Sequence, residues 1–342
     1  MDRKSRIMIS RTDSIGDVIL TLPMARVLKK AFPEATILFL GKNYTRDVVN
    51  LSSDIDEFVS WDEIDRLSSE SDKIQTFKKL KVDIMLHVFP SFKIARLASR
   101  AHIPKRIGAS GRLYHFVYCN KIVPMSRKNS PLHEAQLNLK LLKPIINERS
   151  MPSLEEIEGY YHLHSDELKD VDLLSLIDPK KFNLVLHPKS KGSAREWPLG
   201  SYSDLINQLP DEKFKIFITG TQEEGKLIQD FLLKNKGKVI DLTGKFTLKK
   251  LIAFIRYADG LVAASTGPLH LAAMLGKLVV GIYPPIRPMH PGRWAPVGKN
   301  AQFLVANKIC EACRKNRSCD CMDLVSVDQV KKLIEDYVGR NY

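Results

Sequence analysis

RTDSIGDVILTLP, residues 11–23, decides the fold because it directly follows the short apolar run RIMIS at 6–10. The apolar run has the length and composition of a buried strand, and apolar residues then recur at helical spacing from Val18 to Leu28. Gly16 between them allows the chain to turn closely. The sequence therefore predicts a strand, a tight turn and a helix, and ligands of open α/β sheets bind beside such turns.

The two acids of this turn, Asp13 and Asp17, have a functional and a structural interpretation. Asp17 opens the predicted helix, where a carboxylate satisfies N–H groups of the first turn. Asp13 competes for the same capping role. These residues alone leave open whether either acid meets a ligand.

Short β-rich runs alternate with helical patterns along all 342 residues, which predicts α/β layers built on parallel sheets. The length suggests two domains, and the acidic, poorly periodic stretch 147–170 is the best candidate for a linker. We expect domains at 1–170 and 171–324, then a C-terminal helix at 325–342 that could pack back on the first domain. The predicted strands are 6–10, 35–41, 57–61, 83–89, 182–188, 215–220, 261–264 and 278–283, and 132–142 is a predicted helix.

The chain is strongly basic, with 53 Lys and Arg against 39 Asp and Glu and a net charge of +14. Such a balance favours phosphates, nucleic acid or an anionic surface as partners, although a solvated basic face also explains it. No nucleic-acid recognition motif accompanies the charge, so nucleic acid is not expected. Between Asp83 and Glu134 there is no acid, and the bases there are Lys93, Arg96, Arg100, Lys105, Arg106, Arg112, Lys121, Arg127 and Lys128.

Nothing in the sequence predicts a secreted or membrane-spanning protein. The start, MDRKSRIMIS, is too charged and its apolar run too short for a secretory signal. The longest weakly charged stretch, 261–286, is interrupted by polar residues and Lys277. We expect a cytoplasmic protein that meets a membrane only peripherally.

A second glycine turn, ASTGPLHLAAMLG at 264–276, follows another apolar run. Ser265, Thr266 and Gly267 precede a helix that begins near Pro268, which leaves backbone N–H groups free to hold an anion. His270 on the first helical turn would face the same pocket. The alternative is a plain tight turn with His270 as a packing residue.

Two other motifs are misleading. GTQEEGK at 220–226 has the spacing of a phosphate-binding loop, but Leu227 replaces the required Ser or Thr and two glutamates would repel phosphate. Asp54 and Asp56 resemble a metal-binding pair, but we interpret them as solvated surface acids. No G-x-G-x-x-G follows the first strand, which disfavours a nicotinamide dehydrogenase.

Four of the five cysteines cluster at the C-terminal end of the second domain. Their spacing could hold a tetrahedral zinc ion, although it is tighter than in common zinc modules. The alternative, a loop of thiols that is occasionally oxidised, is preferred, and no metal is expected. The four are Cys310, Cys313, Cys319 and Cys321.

The two glycine turns, together with HPKSKGSAREWP at 187–198, resemble the heptosyltransferase family of glycosyltransferases, family 9, over nearly the whole chain. The resemblance implies a GT-B fold of two facing Rossmann-like domains, with acceptor bound by the first and nucleotide sugar by the second. It implies inverting transfer of a sugar, heptose above all, from ADP-heptose to a lipopolysaccharide core or related glycolipid. No metal or other cofactor is implied.

The resemblance also implies roles for individual residues. Asp17 matches the catalytic base, Asp13 braces its loop, and Asp13 and Gly16 border the acceptor. A phosphorylated acceptor would meet Lys105, Arg106 and Arg112. The donor would be held by Lys189, Lys191, Arg195, Glu224, Ser265, Thr266, Gly267 and His270, with Glu224 at the ribose.

This chain departs from the family's best-studied type at two of these positions. Ser265 stands where that type has an aspartate, and Arg195 where many relatives have a lysine, a change that keeps the charge and alters the geometry. Two other functions use the same features: a non-catalytic sugar-nucleotide-binding protein and a nucleotide-sugar epimerase of the same fold.

Overall fold

The chain divides into the units Met1–Ser165 and Asp166–Tyr342, and each contains a parallel six-stranded sheet. The computed structural model describes residues 5–127, 130–147, 150–164, 170–286, 289–308, 310, 312 and 319–341. Helices connect the strands of both sheets, which confirms the predicted α/β class.

The first unit begins with the predicted strand and tight turn. Its strands are β1 (Arg6–Ser10), β2 (Thr36–Gly41), β3 (Glu57–Ser60), β4 (Ile84–His87), β5 (Lys105–Ala109) and β6 (Lys121–Val123). Its helices are α1 (Ile15–Ile19), α2 (Pro23–Ala31), α3 (Arg46–Val49), α4 (Trp61–Asp65), α5 (Glu70–Lys79), α6 (Phe92–Arg100), α7 (His115–Tyr118), α8 (Glu134–Lys140) and α9 (Leu154–Glu158).

The second unit repeats the alternation. Its strands are β7 (Phe182–His187), β8 (Phe214–Ile218), β9 (Val239–Asp241), β10 (Gly260–Ala264), β11 (Leu278–Tyr283) and β12 (Ala301–Val305). Its helices are α10 (Val171–Leu176), α11 (Leu199–Gln208), α12 (Gln222–Leu227), α13 (Gln229–Lys234), α14 (Leu248–Tyr257), α15 (Gly267–Met274), α16 (Pro291–Trp294) and α17 (Val327–Asn341).

The two sheets have the same topology. The strand order is β3-β2-β1-β4-β5-β6 in the first unit and, read from its other edge, β9-β8-β7-β10-β11-β12 in the second. The chain reverses its direction of travel across the sheet between β1 and β4, and again between β7 and β10. In doubly wound sheets the ligand crevice lies at this switch point, outside the carboxyl ends of the strands.

Four strands that the sequence patterns do not predict complete the sheets: β5, β6, β9 and β12. Three of these lie at sheet edges. β6 and β9 have only three residues each, and β12 is partly exposed along its length. Short edge strands bury too few side chains to produce a clear apolar pattern. β5 begins with Lys105 and Arg106, whose charges hide it.

The single helix predicted after Gly16 is two helices, α1 and α2. The break falls before Pro23, which is the first residue of α2. Proline has no N–H to continue the α1 ladder, and its ring favours the first turn of a new helix.

The segment 147–170, predicted as a linker, is folded onto the first unit in its described part. Ser153 caps α9, Ile157 is fully buried, and Leu163 pairs with Ser52 in an isolated antiparallel bridge. The ammonium group of Lys30 lies 4.9 Å from the centre of the Tyr160 ring. These apolar and aromatic contacts are too widely spaced in sequence to produce a periodic pattern.

The C-terminal helix α17 packs against the core of the second unit. Val330 and Ile334 of α17 are fully buried in the core cluster of the second unit, together with Trp197 and Tyr202. Packing of this helix on the first domain, which the sequence suggested, stays a prediction. Among the described residues, no helix has the length and apolar character needed to cross a membrane.

Candidate active site

One candidate site lies directly after β1, at the switch point of the first sheet. Arg11 is only 3% exposed, and its guanidinium contacts three carboxylates. Its Nε donates to Asp13 Oδ1 at 2.7 Å, one terminal nitrogen donates to Glu134 Oε1 at 3.1 Å, and the other donates to Asp17 Oδ1. Arg11 therefore joins the two acids of the turn to the first residue of α8.

Helix α8 holds the other side of this cluster. Asn138 Oδ1 accepts hydrogen bonds from Arg11 at 3.4 Å and from Arg127 at 3.2 Å. Arg127 also forms an ion pair with the buried carboxylate of Glu134. The sequence missed Glu134 and Asn138, and it assigned Arg127 to a basic surface; the amphipathic pattern of α8 gave no sign that it carries a buried acid.

The cluster contains one more negative than positive charge when all its groups are ionised. Three carboxylates face the guanidiniums of Arg11 and Arg127. Burial raises the pKa of Asp13 to about 6, with the Asp17 charge adding to that rise and Arg11 opposing it. An acid with such a pKa can exchange a proton near neutral pH.

Asp17 is the third residue of α1, and Gly16 before it is buried. Ser14 occupies the capping position, so neither Asp13 nor Asp17 is the capping residue. The Asp17 carboxylate instead accepts hydrogen bonds from the side chains of Arg11 and Ser14. Its side chain is 16% exposed, so the carboxylate is fixed from inside the unit and can still be reached from solvent.

A second candidate site, in the second unit, lies directly after β10, at the switch point of the second sheet. Thr266 occupies the capping position of α15, Gly267 is its first residue, and Pro268 lies in its first turn. Thr266 is buried, and its Oγ1 has no hydrogen-bond partner within the described part of the chain. Ser265 is half-buried, and His270 is buried one turn into the helix.

The basic loop after β7 borders the same switch point. Glu196, which no sequence pattern marks, accepts hydrogen bonds from Ser190 N at 2.8 Å and Oγ at 2.9 Å and forms an ion pair with Lys189. Lys189 is therefore neutralised within the loop. Lys191 is exposed with a φ of 50°, and Arg195 is partly buried.

Glu224, predicted at the donor ribose, lies after β8, next to β7 in the sheet. Its Oε2 accepts a hydrogen bond from Thr221 N at 2.8 Å, and its own N–H donates to Thr221 Oγ1 at 3.3 Å. This reciprocal pair is a capping box at the start of α12. Glu224 therefore has a structural role in α12, whatever else it binds.

The structure separates the basic residues predicted to bind acceptor. Lys105 is the first residue of β5, so it lies at the amino ends of the parallel strands. Asp17 follows β1 and lies at their carboxyl ends. The guanidinium of Arg106 donates to the carbonyls of Tyr118 and Ile103, at 2.7 and 2.5 Å. Arg112 follows the carboxyl end of β5, which is the same end of the strands as Asp17, and it is exposed. Other bases of the stretch pair with acids: Lys93 with Asp65, and Arg96 and Arg100 with Glu70.

Four exposed apolar side chains lie at the start of α6 and in the segment that follows Arg112, and we name them the apolar patch. It consists of Phe92, Leu113, Phe116 and Val117, which are 47%, 86%, 58% and 71% exposed. Phe92 begins α6 and packs edge-on against the rings of Tyr114 and Tyr118, with centroids 5.6 Å apart in each pair. Large exposed apolar groups of this kind mark interaction surfaces.

Asp54 and Asp56, predicted to be solvated surface acids, both form ion pairs. Asp54 is buried, not solvated, and pairs with Arg26 at 3.3 Å and His162 at 3.2 Å. Asp56 pairs with Lys29 at 2.8 Å. Of the cysteine cluster, Cys310, Cys319 and Cys321 lie in the second unit, and Cys313 lies outside the described residues.

Comparison with known proteins decides the family. The model of glycosyltransferase family 9 (heptosyltransferase) matches residues 73–322, which is most of the chain and includes the second glycine turn and the basic loop. The chain belongs to glycosyltransferase family 9. It is thus a glycosyltransferase, and the resemblance read from its motifs is confirmed.

Known relatives match this family 9 enzyme over nearly the whole chain. A Haemophilus influenzae protein named as a candidate glycosyltransferase is 26% identical over 337 residues, 94% of each chain. The structure of a family 9 glycosyl transferase from Veillonella parvula is similar with a TM-score of 0.84 and 21% identity, covering 100% of this chain and 99% of that one. Escherichia coli ADP-heptose lipopolysaccharide heptosyltransferase II gives 0.78 and 18%, covering 98% and 99%. The fold of this family 9 enzyme is therefore the GT-B fold.

Proposed function

We propose that this enzyme is an inverting heptosyltransferase that moves heptose from ADP-heptose to a lipopolysaccharide core or related glycolipid, with no metal ion in the reaction. The observation that carries the proposal is the pair of switch-point turns: one holds an anchored, reachable carboxylate, and the other an uncharged helix N-terminus. A base and an anion site are the two groups that this reaction needs. The name of the Escherichia coli structural relative supports ADP-heptose as donor.

Asp17 is the proposed base. It takes the proton of the acceptor hydroxyl while that oxygen forms a bond to the anomeric carbon of the sugar. The bond from the anomeric carbon to the phosphate oxygen breaks at the same time, and its electron pair leaves with ADP. Arg11 and Ser14 hold the carboxylate in place, so little ordering is required when the acceptor arrives.

The turn after β10 is the proposed site for the leaving diphosphate. The N–H groups at the start of α15 and the dipole of that helix favour negative charge, and the buried Oγ1 of Thr266 offers a further donor. Lys191 and Arg195 supply positive charge from the neighbouring loop. Together they stabilise the charge that develops as the glycosidic bond breaks.

The acceptor and the membrane are assigned to the first unit, at Arg112 and the apolar patch. A base beside exposed aromatic and aliphatic side chains fits the interface of an anionic leaflet, where a nearby cation contributes about 1 kcal/mol. We therefore place the enzyme at the inner face of the cytoplasmic membrane, held peripherally. This proposal does not include Lys105, which lies at the opposite end of the strands from Asp17. It does not include Arg106, whose guanidinium donates to two backbone carbonyls.

The test is transfer by the purified chain, with ADP-heptose as donor and a heptose-deficient lipopolysaccharide core as acceptor, with and without added Mg²⁺. We expect ADP release that depends on acceptor and needs no added Mg²⁺. Donor consumption without acceptor would indicate an epimerase. ADP binding without turnover would indicate a binding protein. A thermal-shift screen of ADP, UDP and GDP checks the donor base, since ligand at 100 Kd adds about 2.7 kcal/mol.

The membrane assignment has its own test. We expect Leu113→Ser/Phe116→Ser/Val117→Ser to lower co-sedimentation with phosphatidylglycerol vesicles while ADP binding stays unchanged. The matched control is Leu227→Ser/Leu233→Ser, which removes apolar side chains that are 72% and 61% exposed in the second unit. Equal vesicle binding by both variants would remove the apolar patch from the proposal.

A further inference from the structure

Three cysteine thiols converge in the second unit, on the segment between β12 and α17. The sulfur atoms of Cys310, Cys319 and Cys321 all lie within 4.8 Å of one another, and those of Cys319 and Cys321 are 3.3 Å apart. Cys310 is 5% exposed and Cys321 is fully buried. In the described part of the chain this is the one group of three or more His, Cys, Asp or Glu side chains that converges in this way.

These separations match those of a metal-thiolate centre. Zinc binds thiolate sulfur at about 2.3 Å in a tetrahedral arrangement, which places the sulfur atoms about 3.8 Å apart. The sulfur atoms of a disulfide are about 2.05 Å apart, which is closer than the 3.3 Å between Cys319 and Cys321. A disulfide would also join only two of the three cysteines and leave the third as a thiol. A buried cysteine can also serve as a small apolar side chain, but packing alone does not require three sulfur atoms to converge.

The surroundings of the thiols also suit a structural metal. Cys310 and Cys321 belong to the same core cluster as Trp197, Val330 and Ile334. The Trp197 indole N–H donates to the carbonyl of Val325 at 2.9 Å, so the segment after Cys321 is already tied to the core.

We propose that Cys310, Cys319 and Cys321 bind one Zn²⁺ ion as thiolates, with the fourth tetrahedral position taken by another donor. The ion cross-links the segment between β12 and α17 and fixes the start of α17 on the second sheet. Zinc is favoured because three closely spaced soft thiolates select it over hard cations. The role is structural and is independent of the proposed transfer reaction.

Metal analysis tests this site directly. The full chain is purified without chelator, under reducing conditions, from medium that contains both zinc and iron, and its metals are measured by mass spectrometry. We expect about one zinc per chain, lost in Cys310→Ser and in Cys321→Ser. The matched control is Cys119→Ser, which removes a buried thiol of the first unit and should keep the zinc.

A second measurement uses the wild-type chain, so that a variant that fails to fold does not decide the outcome. Cobalt substituted for zinc should give the intense visible bands of a tetrahedral thiolate site, and titration of the thiols with a mercurial should release the metal in step. Chelation should lower the Tm by several degrees. The proposal is overturned by metal-free folded wild type, by stoichiometric iron, by a disulfide among the three cysteines, or by zinc that survives Cys310→Ser.

Discussion

The two switch-point turns occupy equivalent positions in sheets of the same topology, yet their chemistry is opposite. The turn after β1 carries Arg11, Asp13 and Asp17 and draws a further acid from α8. The turn after β10 reads STGPLH and contains no acid, lysine or arginine. The doubly wound fold supplies the same crevice twice, and the side chains then make one turn suited to proton transfer and the other to holding an anion.

The difference extends to how each turn is stabilised. Buried ions of the first turn must be compensated by partners, because an unpaired charge in the interior is very costly. The second turn presents its backbone dipole, which is part of the helix and needs no counter-charge in the protein. Loss of one side chain should therefore harm the first turn more than the second.

The largest effect should follow from removing the charge of Asp17. We expect Asp17→Asn to reduce kcat by about 10²–10⁴-fold, because the base is lost while its shape is kept. ADP affinity should remain near that of the wild type. The Tm should change little, because the remaining carboxylates of Asp13 and Glu134 still balance the guanidiniums of Arg11 and Arg127. The control is Asp13→Asn, which should retain more activity. Activity of Asp17→Asn within about tenfold of wild type would assign Asp17 to a structural role.

Next in size is the loss of the guanidinium that holds the cluster together. Arg11→Gln removes the guanidinium that contacts all three carboxylates and leaves Glu134 paired with Arg127. Removal of one partner of a buried ion pair costs about 3–5 kcal/mol. The control is Lys93→Gln, since Lys93 is 70% exposed in its pair with Asp65 and such pairs contribute about 1 kcal/mol or less. Urea unfolding measures both, and equal losses would show that the buried cluster contributes no more than a surface pair.

The Arg11 cluster also shows where sequence-based prediction ends. The turn itself was predictable because strand, glycine and helix follow one another locally. The bond from Arg11 to Glu134 spans 123 residues, and no local pattern encodes such a partner. The same holds for Arg127, which the sequence places among surface bases and the fold places against α8.

Sheet topology accounts for other differences between prediction and structure. Lys105 and Arg112 are near in sequence, but strand β5 runs between them. Lys105 therefore lies at the amino ends of the strands of the first sheet and Arg112 at their carboxyl ends. Strand β5 had to be recognised before that could be known. In the second unit the glycine turn was predicted correctly, whereas Glu196, which neutralises Lys189, was missed because a loop has no periodicity that reveals internal pairing.

A moderate effect is expected from closing the uncharged turn. Gly267→Val places a branched side chain at the first residue of α15, where the phosphates would approach the backbone, and should raise the Kd for ADP by about tenfold or more. The matched control is Gly200→Val near the start of α11, where an added Cβ would have nothing within 4 Å. Calorimetry gives both values, and unchanged ADP affinity in folded Gly267→Val would move the donor site elsewhere.

The smallest effect concerns Asp13, whose pKa of about 6 lies above its ordinary value of 3.8. Between these values the folded chain binds more protons than the unfolded chain, so this group's contribution to stability falls as pH rises. From pH 5 to pH 7 the loss should be about 1 kcal/mol. Asp13→Asn should abolish it, which urea unfolding at the two pH values can measure.

His87 acts in the opposite direction, so only the difference between the two proteins isolates Asp13. Burial lowers the pKa of His87 to about 3, and the stability that its neutral form confers is lost as pH falls below about 6.5. That term is present in wild type and in Asp13→Asn, and it cancels when their pH profiles are subtracted. If the subtracted profile is flat between pH 5 and 7, Asp13 stays ionised throughout, and the first turn then holds its acids as permanent charges rather than as a proton-exchanging cluster.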